Sequence, residues 1–127
     1  MALLGLDLGS SSIKGAVFDE NCEVIAEAQE PYSTVWDGNS AEADAELMWL
    51  AAVKVIKTVA AEIQDIEAIC AGSHGETYIP VDRRRMPVYP AVMNSDNRAD
   101  KESGSWEKSL GKRKLYEITG GRIKSPQ

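Results

Sequence analysis

Apolar and polar positions along the chain change period twice, and each change marks a new kind of element. Residues 2–8 are apolar with one acidic interruption at Asp7, residues 13–18 are again apolar and β-branched, and Gly9, Ser10, Ser11 and Ser12 lie between them. Two such runs joined by a Gly-Ser bend predict a hairpin. Asp19, Glu20 and Asn21 form a second turn, after which Val24, Ile25 and Ala26 open a third strand reaching Glu30, so the chain starts as an antiparallel meander. Residues 31–40 contain Pro, Gly and Asn without a period, which predicts a loop. From Asp44 the period becomes helical: Trp49, Ala52, Val53, Ile56, Val59, Ala60 and Ile63 fall on one face, and Lys54, Lys57 and Glu62 on the wet one. Asp44 is placed as N-cap, with Glu46 near the positive end of the helix. A strand follows at 66–71 and ends at Gly72, Ser73, His74 and Gly75; further strands are expected at 77–81 and 88–93, and short helices at 101–109 and 112–118. No internal repeat is present. Three strands, a helix and a strand imply an α/β unit with a mixed sheet and the helix on one face.

Composition narrows the class. The 127 residues suit one globular unit spanning 1–127, with 43% hydrophobic and 27% charged residues; only the stretch from about Asp100 is rich enough in Lys, Glu and Gly to be loosely held. A net charge of -6 argues against a nucleic-acid binder, because neutralising phosphates needs a basic stripe, and Arg83, Arg84 and Arg85 are more simply a solvated turn. No apolar run approaches the roughly 20 residues needed to cross a bilayer, and the first four residues lack the features of a signal peptide. The cytoplasm is therefore the expected compartment. Cys22 and Cys70, with a single His in the chain, form neither a disulfide framework nor a zinc set, and both are expected as core thiols. Trp36, Trp49 and Trp106 are expected to pack, Trp36 being the candidate for exposure.

The chemistry concentrates at the first bend. A turn built from Gly9, Ser10, Ser11 and Ser12 lets the backbone approach a polyphosphate, with N–H groups and hydroxyls as donors. It precedes a strand instead of a helix, so it is neither a P-loop nor a dinucleotide fingerprint. Asp7, at the end of an apolar strand, needs a cation or donors, and a magnesium ion on nucleotide phosphates would meet that need; the alternative is a carboxylate that merely fixes an ordinary hairpin.

Asp7, Gly9, Ser10, Ser11 and Lys14 match the first phosphate motif of the sugar kinase, Hsp70 and actin superfamily. Later segments resemble the FGGY family of carbohydrate kinases within it. Residues 66–77, running into Val81 and Asp82, look like the FGGY strand that ends in a sugar-binding turn, with His74 and Glu76 at the matching positions and Gly75 where the polyol-specific members carry Arg. That Gly counts against a glycerol-type substrate. Residues 87–98 are similar to the family's Pro-Ala-Ile-x-Trp-x-Asp-x-Arg stretch, so that Asp96 and Arg98 carry over to the sugar pocket, while Met93 or Asn94 replaces the usual Trp. Leu115, Thr119 and Gly120 fit a further family segment.

The resemblance implies a ribonuclease H-like, actin-like ATPase fold, of which this chain supplies the N-terminal part of the first FGGY domain. It implies ATP and Mg2+ as cofactors, a sugar or polyol as substrate, Gly9, Ser10, Ser11, Ser12 and Lys14 as phosphate-binding residues, Asp7 at the metal, and His74, Gly75, Glu76, Asp96 and Arg98 at the sugar. The family's catalytic Asp, second phosphate motif and adenosine pocket lie beyond the matched region, so no residue here is assigned as the base, and the isolated chain is expected to show little or no turnover. A homodimer is expected from apolar surface and strand edges that half a domain leaves uncovered. The rival readings are another ATPase of the superfamily, such as a chaperone-type member, and a non-enzymatic fragment or scaffold.

Overall fold

A computed structural model describes residues 1–63 and 65–121; Gln64 and residues 122–127, which the one-domain expectation also takes in, lie outside the described residues. The hairpin is formed by β1 (Ala2–Leu8) and β2 (Ser12–Phe18), paired from Leu3 with Phe18 to Leu8 with Ile13. The third strand, β3 (Val24–Pro31), pairs antiparallel with β2 and takes the outer edge. Its terminal Pro31 suits an edge, where a missing N–H breaks no ladder.

Residues 31–40 depart from the expected loop. They carry β4 (Thr34–Asp37), which forms a second hairpin with β5 (Ser40–Ala43) about Gly38. Gly38 has φ +57°, and this left-handed bend lets so short a connection close. The strands there are too brief for a two-residue period to register.

Helix α1 (Ala45–Glu62) begins at the anticipated cap: Asp44 Oδ1 accepts from the Glu46 N–H at 2.8 Å and the Leu47 N–H at 3.2 Å. Its buried stripe is Ala51, Ala52, Val55 and Val59, with Ile56 and Ile63 packed against the core, whereas Trp49 is 61% exposed and Ala60 also faces out. The stripe is rotated from the predicted face because apolar residues run nearly all round this helix, and small residues win the close contact. Val55 Cγ1 sits 2.6 Å from where a Cβ on Gly15 would lie, so Gly15 sets how near α1 approaches β2.

Beyond α1, β6 (Ile66–Ser73) returns parallel to β1 and completes a mixed sheet of order β3-β2-β1-β6. A parallel return needs a long crossover, which the β4–β5 hairpin and α1 provide. The helix lies over β2 and β3, and Leu4, Leu6, Ile13, Val17 and Ala26 form the core beneath it. Most of β6 stays exposed. The strands predicted at 77–81 and 88–93 shrink to bridges from Tyr78 to Val92 and Val81 to Pro87 and to the short β7 (Ala91–Val92), which joins β5 in a second sheet of order β4-β5-β7. Helices α2 (Asp100–Leu110) and α3 (Lys112–Thr119) follow, with Leu115 buried.

Two packing expectations are corrected. Cys22 and Cys70 are both exposed, Cys22 in a turn at φ 63° and Cys70 on β6. Trp49 and Trp106 are exposed, at 61% and 58%, and so is Trp36, the expected exception, at 59%. The buried clusters are instead built from alanines and the aliphatic side chains of Leu, Ile, Val and Met.

Candidate functional site

The four-stranded sheet has one face under α1 and one face open. Side chains alternate along a strand, so with Leu4, Leu6, Ile13 and Val17 buried beneath the helix, Asp7, Lys14 and Gln29 come out on the open face. Register puts Asp7 opposite Lys14 on β2 and opposite Gly72 on β6. A shallow concavity of about 650 Å³ runs over this face, lined among others by Asp7, Lys14, Gln29, Phe18, Cys70 and Gly72.

The bend at 9–12 is tightly closed. The Gly9 N–H donates to the Ser12 carbonyl at 3.1 Å, and a Cβ on Gly9 would lie 2.9 Å from that same oxygen, so only glycine fits. The same hypothetical Cβ would stand 3.6 Å from Asp7 Oδ2, which shows the carboxylate reaching over the bend. Tyr32 braces the bend from β3's end: its hydroxyl donates to the Gly9 carbonyl at 2.5 Å and its N–H to the Ser11 carbonyl at 3.1 Å. Desolvation raises the Tyr32 phenol above its ordinary value, which keeps it a donor. Ser12 is buried, and its hydroxyl accepts from Gln29 Nε2 at 2.9 Å. Among the described residues, the N–H groups and hydroxyls of exposed Ser10 and Ser11 have no protein partner. The carbonyls of Gly9, Ser11 and Ser12 thus accept from protein donors, and the free donors belong to Ser10 and Ser11. This is the polarity an anion requires.

The residues expected at the sugar are arranged differently. His74 follows β6 and is held at both ring nitrogens, by the Leu8 carbonyl at 2.9 Å and the Thr77 hydroxyl at 2.7 Å. Gly75 is open: a Cβ there would meet nothing within 4 Å, and Glu76 next to it adopts φ 66°. Asp96 lies in the segment after β7, its side chain only 5% exposed. Its carboxylate accepts from the Ala41 N–H at 2.7 Å, from the Arg98 N–H at 3.0 Å and from the Arg98 guanidinium at 2.7 to 3.0 Å. The guanidinium, then the Ala41 and Arg98 N–H groups, outweigh desolvation and hold the carboxyl down to about 2, from an ordinary 3.8. Arg98 reaches onward to Glu42 at 2.6 Å and to the Tyr89 hydroxyl at 3.1 Å, and Tyr89 donates to Glu42 at 2.8 Å. Hydrogen bonds from Arg98, then Tyr89, lower Glu42, and bonds to Asp96 and then Glu42 raise Arg98 further above its usual range.

Asp96 and Arg98 therefore come together as a clamp that fastens their segment to β5, with Asn97 N–H adding a 2.8 Å bond to the Asn39 carbonyl. The second concavity, about 640 Å³, touches Glu42 and Tyr89 but none of His74, Gly75, Glu76, Asp96 or Arg98. Tyr32, Thr77, Glu42 and Tyr89 were not legible as site residues, since each acts through a partner at least 3 and as many as 56 positions away. Among the described residues no group of three or more His, Cys, Asp or Glu could hold a metal, so Asp7 could contribute to one only beside oxygens from a ligand or water.

Residues 2–126 match the N-terminal domain of the FGGY family of carbohydrate kinases. The chain belongs to that family. A probable L-xylulose kinase of Haemophilus influenzae is 33% identical to this FGGY chain over 122 residues, covering 91% of the chain and 25% of that protein. A xylulose kinase of Lactococcus lactis is 30% identical, covering 92% of the chain and 24% of that protein. Among solved structures, Plasmodium falciparum glycerol kinase with ADP superposes with a TM-score of 0.90 at 17% identity, over 98% of the chain and 26% of its own. Xylulose kinase of Lactobacillus acidophilus gives 0.85 at 21% identity, over 91% of the chain and 24% of its own. These likenesses establish the actin-like ATPase fold that the family resemblance implies. The FGGY chain spans about a quarter of the length of the curated relatives it matches. Among the described residues no helix is long and apolar enough to cross a membrane.

Proposed function

We propose that this FGGY chain supplies the phosphate-holding hairpin and part of the sugar site of an ATP-dependent carbohydrate kinase. The observation that carries this is the inverted polarity of the bend at 9–12: its carbonyls at Gly9 and Ser11 are taken by Tyr32, while the Ser10 and Ser11 donors face outward beside Asp7 and Lys14. Ser10 and Ser11 would hold phosphate oxygens, Lys14 would offset their charge, and Asp7 would hold Mg2+ through water or directly. When bound, Mg2+ and ATP supply the charge neutralisation and the transferable phosphoryl group.

The substrate falls among the sugars, polyols and sugar acids phosphorylated by enzymes of the relatives' names, which include xylulose, glycerol and gluconate kinases. Of the relatives at 30% identity or more, two are named for xylulose and one is a glycerol kinase over a shorter match, 77% of the chain; Gly75 removes the Arg of the polyol-specific pattern, so a ketopentose is the first substrate to try. Gly75, Glu76 and Arg98 are exposed among the residues assigned to the sugar, and His74, Asp96 and Arg98 would shape the site through the hydrogen bonds they make to neighbouring segments. No residue of this chain is placed as the base, and turnover by the chain alone is expected to be negligible.

Calorimetry of the chain with ATP and Mg2+, and separately with xylulose, tests this. Heat from ATP that disappears in Asp7→Ala supports the hairpin's role. Equal ATP binding by wild type and by a Ser10→Ala, Ser11→Ala double variant would overturn it, and favour the scaffold reading.

A further inference from the structure

His74 and Thr77 form a line of hydrogen bonds between two loops that the sheet alone does not join. The Leu8 carbonyl can only accept, so His74 Nδ1, 2.9 Å away, carries the proton. In the neutral ring Nε2 is then an acceptor, and its partner at 2.7 Å, Thr77 Oγ1, is the donor. The same Thr77 oxygen accepts from the Asn94 N–H at 3.1 Å. Leu8 immediately precedes the bend at 9–12, and its carbonyl also accepts from the His74 N–H at 3.3 Å. Asn94 stands two residues before Asp96, in the segment clamped to β5.

We propose that Thr77 is a positioning residue, whose hydroxyl couples the 9–12 bend to the 93–98 segment through His74. A hydroxyl that accepts from one side and donates to the other is polarised in a single direction, so a displacement at either end changes both bonds. Valine has the shape of threonine without that oxygen; it would leave His74 Nε2 and the Asn94 N–H unpaired together. Serine keeps the oxygen and restores both bonds. The nature of the ligand that exploits the coupling, a phosphate chain at the bend, rests on the function proposed above; the coupling itself does not.

The test is amide NMR and hydrogen exchange on the 15N-labelled chain. In wild type, His74 Nε2 should show the shift of an unprotonated nitrogen, and Nδ1 that of a protonated one. Thr77→Val should speed exchange at Asn94 by about five- to tenfold, the worth of one net hydrogen bond, and should also move the Gly9 and Ser10 amides. Thr77→Ser should restore both. Changes confined to residues 77 and 94, or a wild-type His74 protonated at Nε2 alone, would overturn the coupling. Inorganic triphosphate with Mg2+ added to wild type needs no variant to fold: movement of the bend amides together with Asn94 supports the coupling, and movement of the bend alone overturns it. No movement anywhere on adding triphosphate defeats the phosphate-binding function, while the ligand-free comparison still decides the bridge.

Discussion

Asp7 and Lys14 stand directly opposite each other on β1 and β2, on the sheet face away from α1, and among the described residues they form no ion pair with each other. Such an exposed pair would be worth about 1 kcal/mol at most. Leaving the charges apart costs the fold little and keeps both available to a ligand. Asp7→Asn and Lys14→Met should therefore change unfolding free energy by no more than about 0.5 kcal/mol. Binding of Mg2+-ATP should fall at least about tenfold in each, the loss of one charge-assisted contact. Urea melts and calorimetry on the same samples check the split; a loss of stability that tracks the loss of binding would assign both residues to the fold alone.

Gly9 and Gly15 should fail differently when replaced. Gly15→Ala sets a methyl 2.6 Å from Val55 Cγ1 inside the core, an overpacking expected to cost about 1–3 kcal/mol while the bend keeps its geometry. Gly9→Ala sets one 2.9 Å from the Ser12 carbonyl oxygen, which must move and take the Gly9 N–H bond with it. Thermal unfolding should register the first substitution more strongly, and nucleotide binding the second.

Acid should loosen the Asp96 clamp. With its carboxyl held down to about 2 against an ordinary 3.8, the folded state binds fewer protons than the unfolded one in this interval. The stabilisation is whole above about pH 4 and is lost as pH falls through about 2. Glu42, also lowered, contributes in the same direction. In Asp96→Asn the slope of unfolding free energy between pH 5 and 2 should flatten; an unchanged slope would mean that other carboxylates dominate.

Gly75 offers a substrate test that spares the fold. A side chain there meets nothing within 4 Å, so Gly75→Arg should leave the melting temperature within about 2 °C. If the Arg of the polyol-specific pattern governs selection, the variant should gain affinity for glycerol relative to xylulose. Identical calorimetric profiles for the two chains would remove Gly75 from the specificity argument.

Self-association should come from β6. Ile69, Cys70 and Ala71 are exposed on a strand with one neighbour, β1, in a sheet whose edge they form. Unpaired edges invite a second copy. Sedimentation velocity should show a dimer that dissociates on placing Lys at Ile69; a monomer at every concentration would set the homodimer aside.

The hairpin and its bend could be read from residues 2–18 because turn chemistry and strand alternation are local, and the α1 cap at Asp44 was legible for the same reason. Asp7, Gly9 and the serines come together through neighbouring chain positions, so their juxtaposition survived the passage to three dimensions. The phase of α1 was not legible: its apolar residues nearly encircle the helix, and the choice of Ala51, Ala52 and Val55 follows from the room that Gly15 leaves on β2. Nor were the exposed tryptophans and cysteines, since hydrophobic character alone does not say which contacts the core geometry admits.

What the sequence determined by itself was the family, the Gly-Ser bend and the run of β1, β2, β3, α1 and β6, because each rests on short-range patterns. Only the tertiary structure decided that His74, Asp96 and Arg98 hold the backbone together. Their respective partners Leu8, Ala41 and Glu42 lie 66, 55 and 56 positions away, and no local period encodes which distant donor will meet which acceptor once the sheets close.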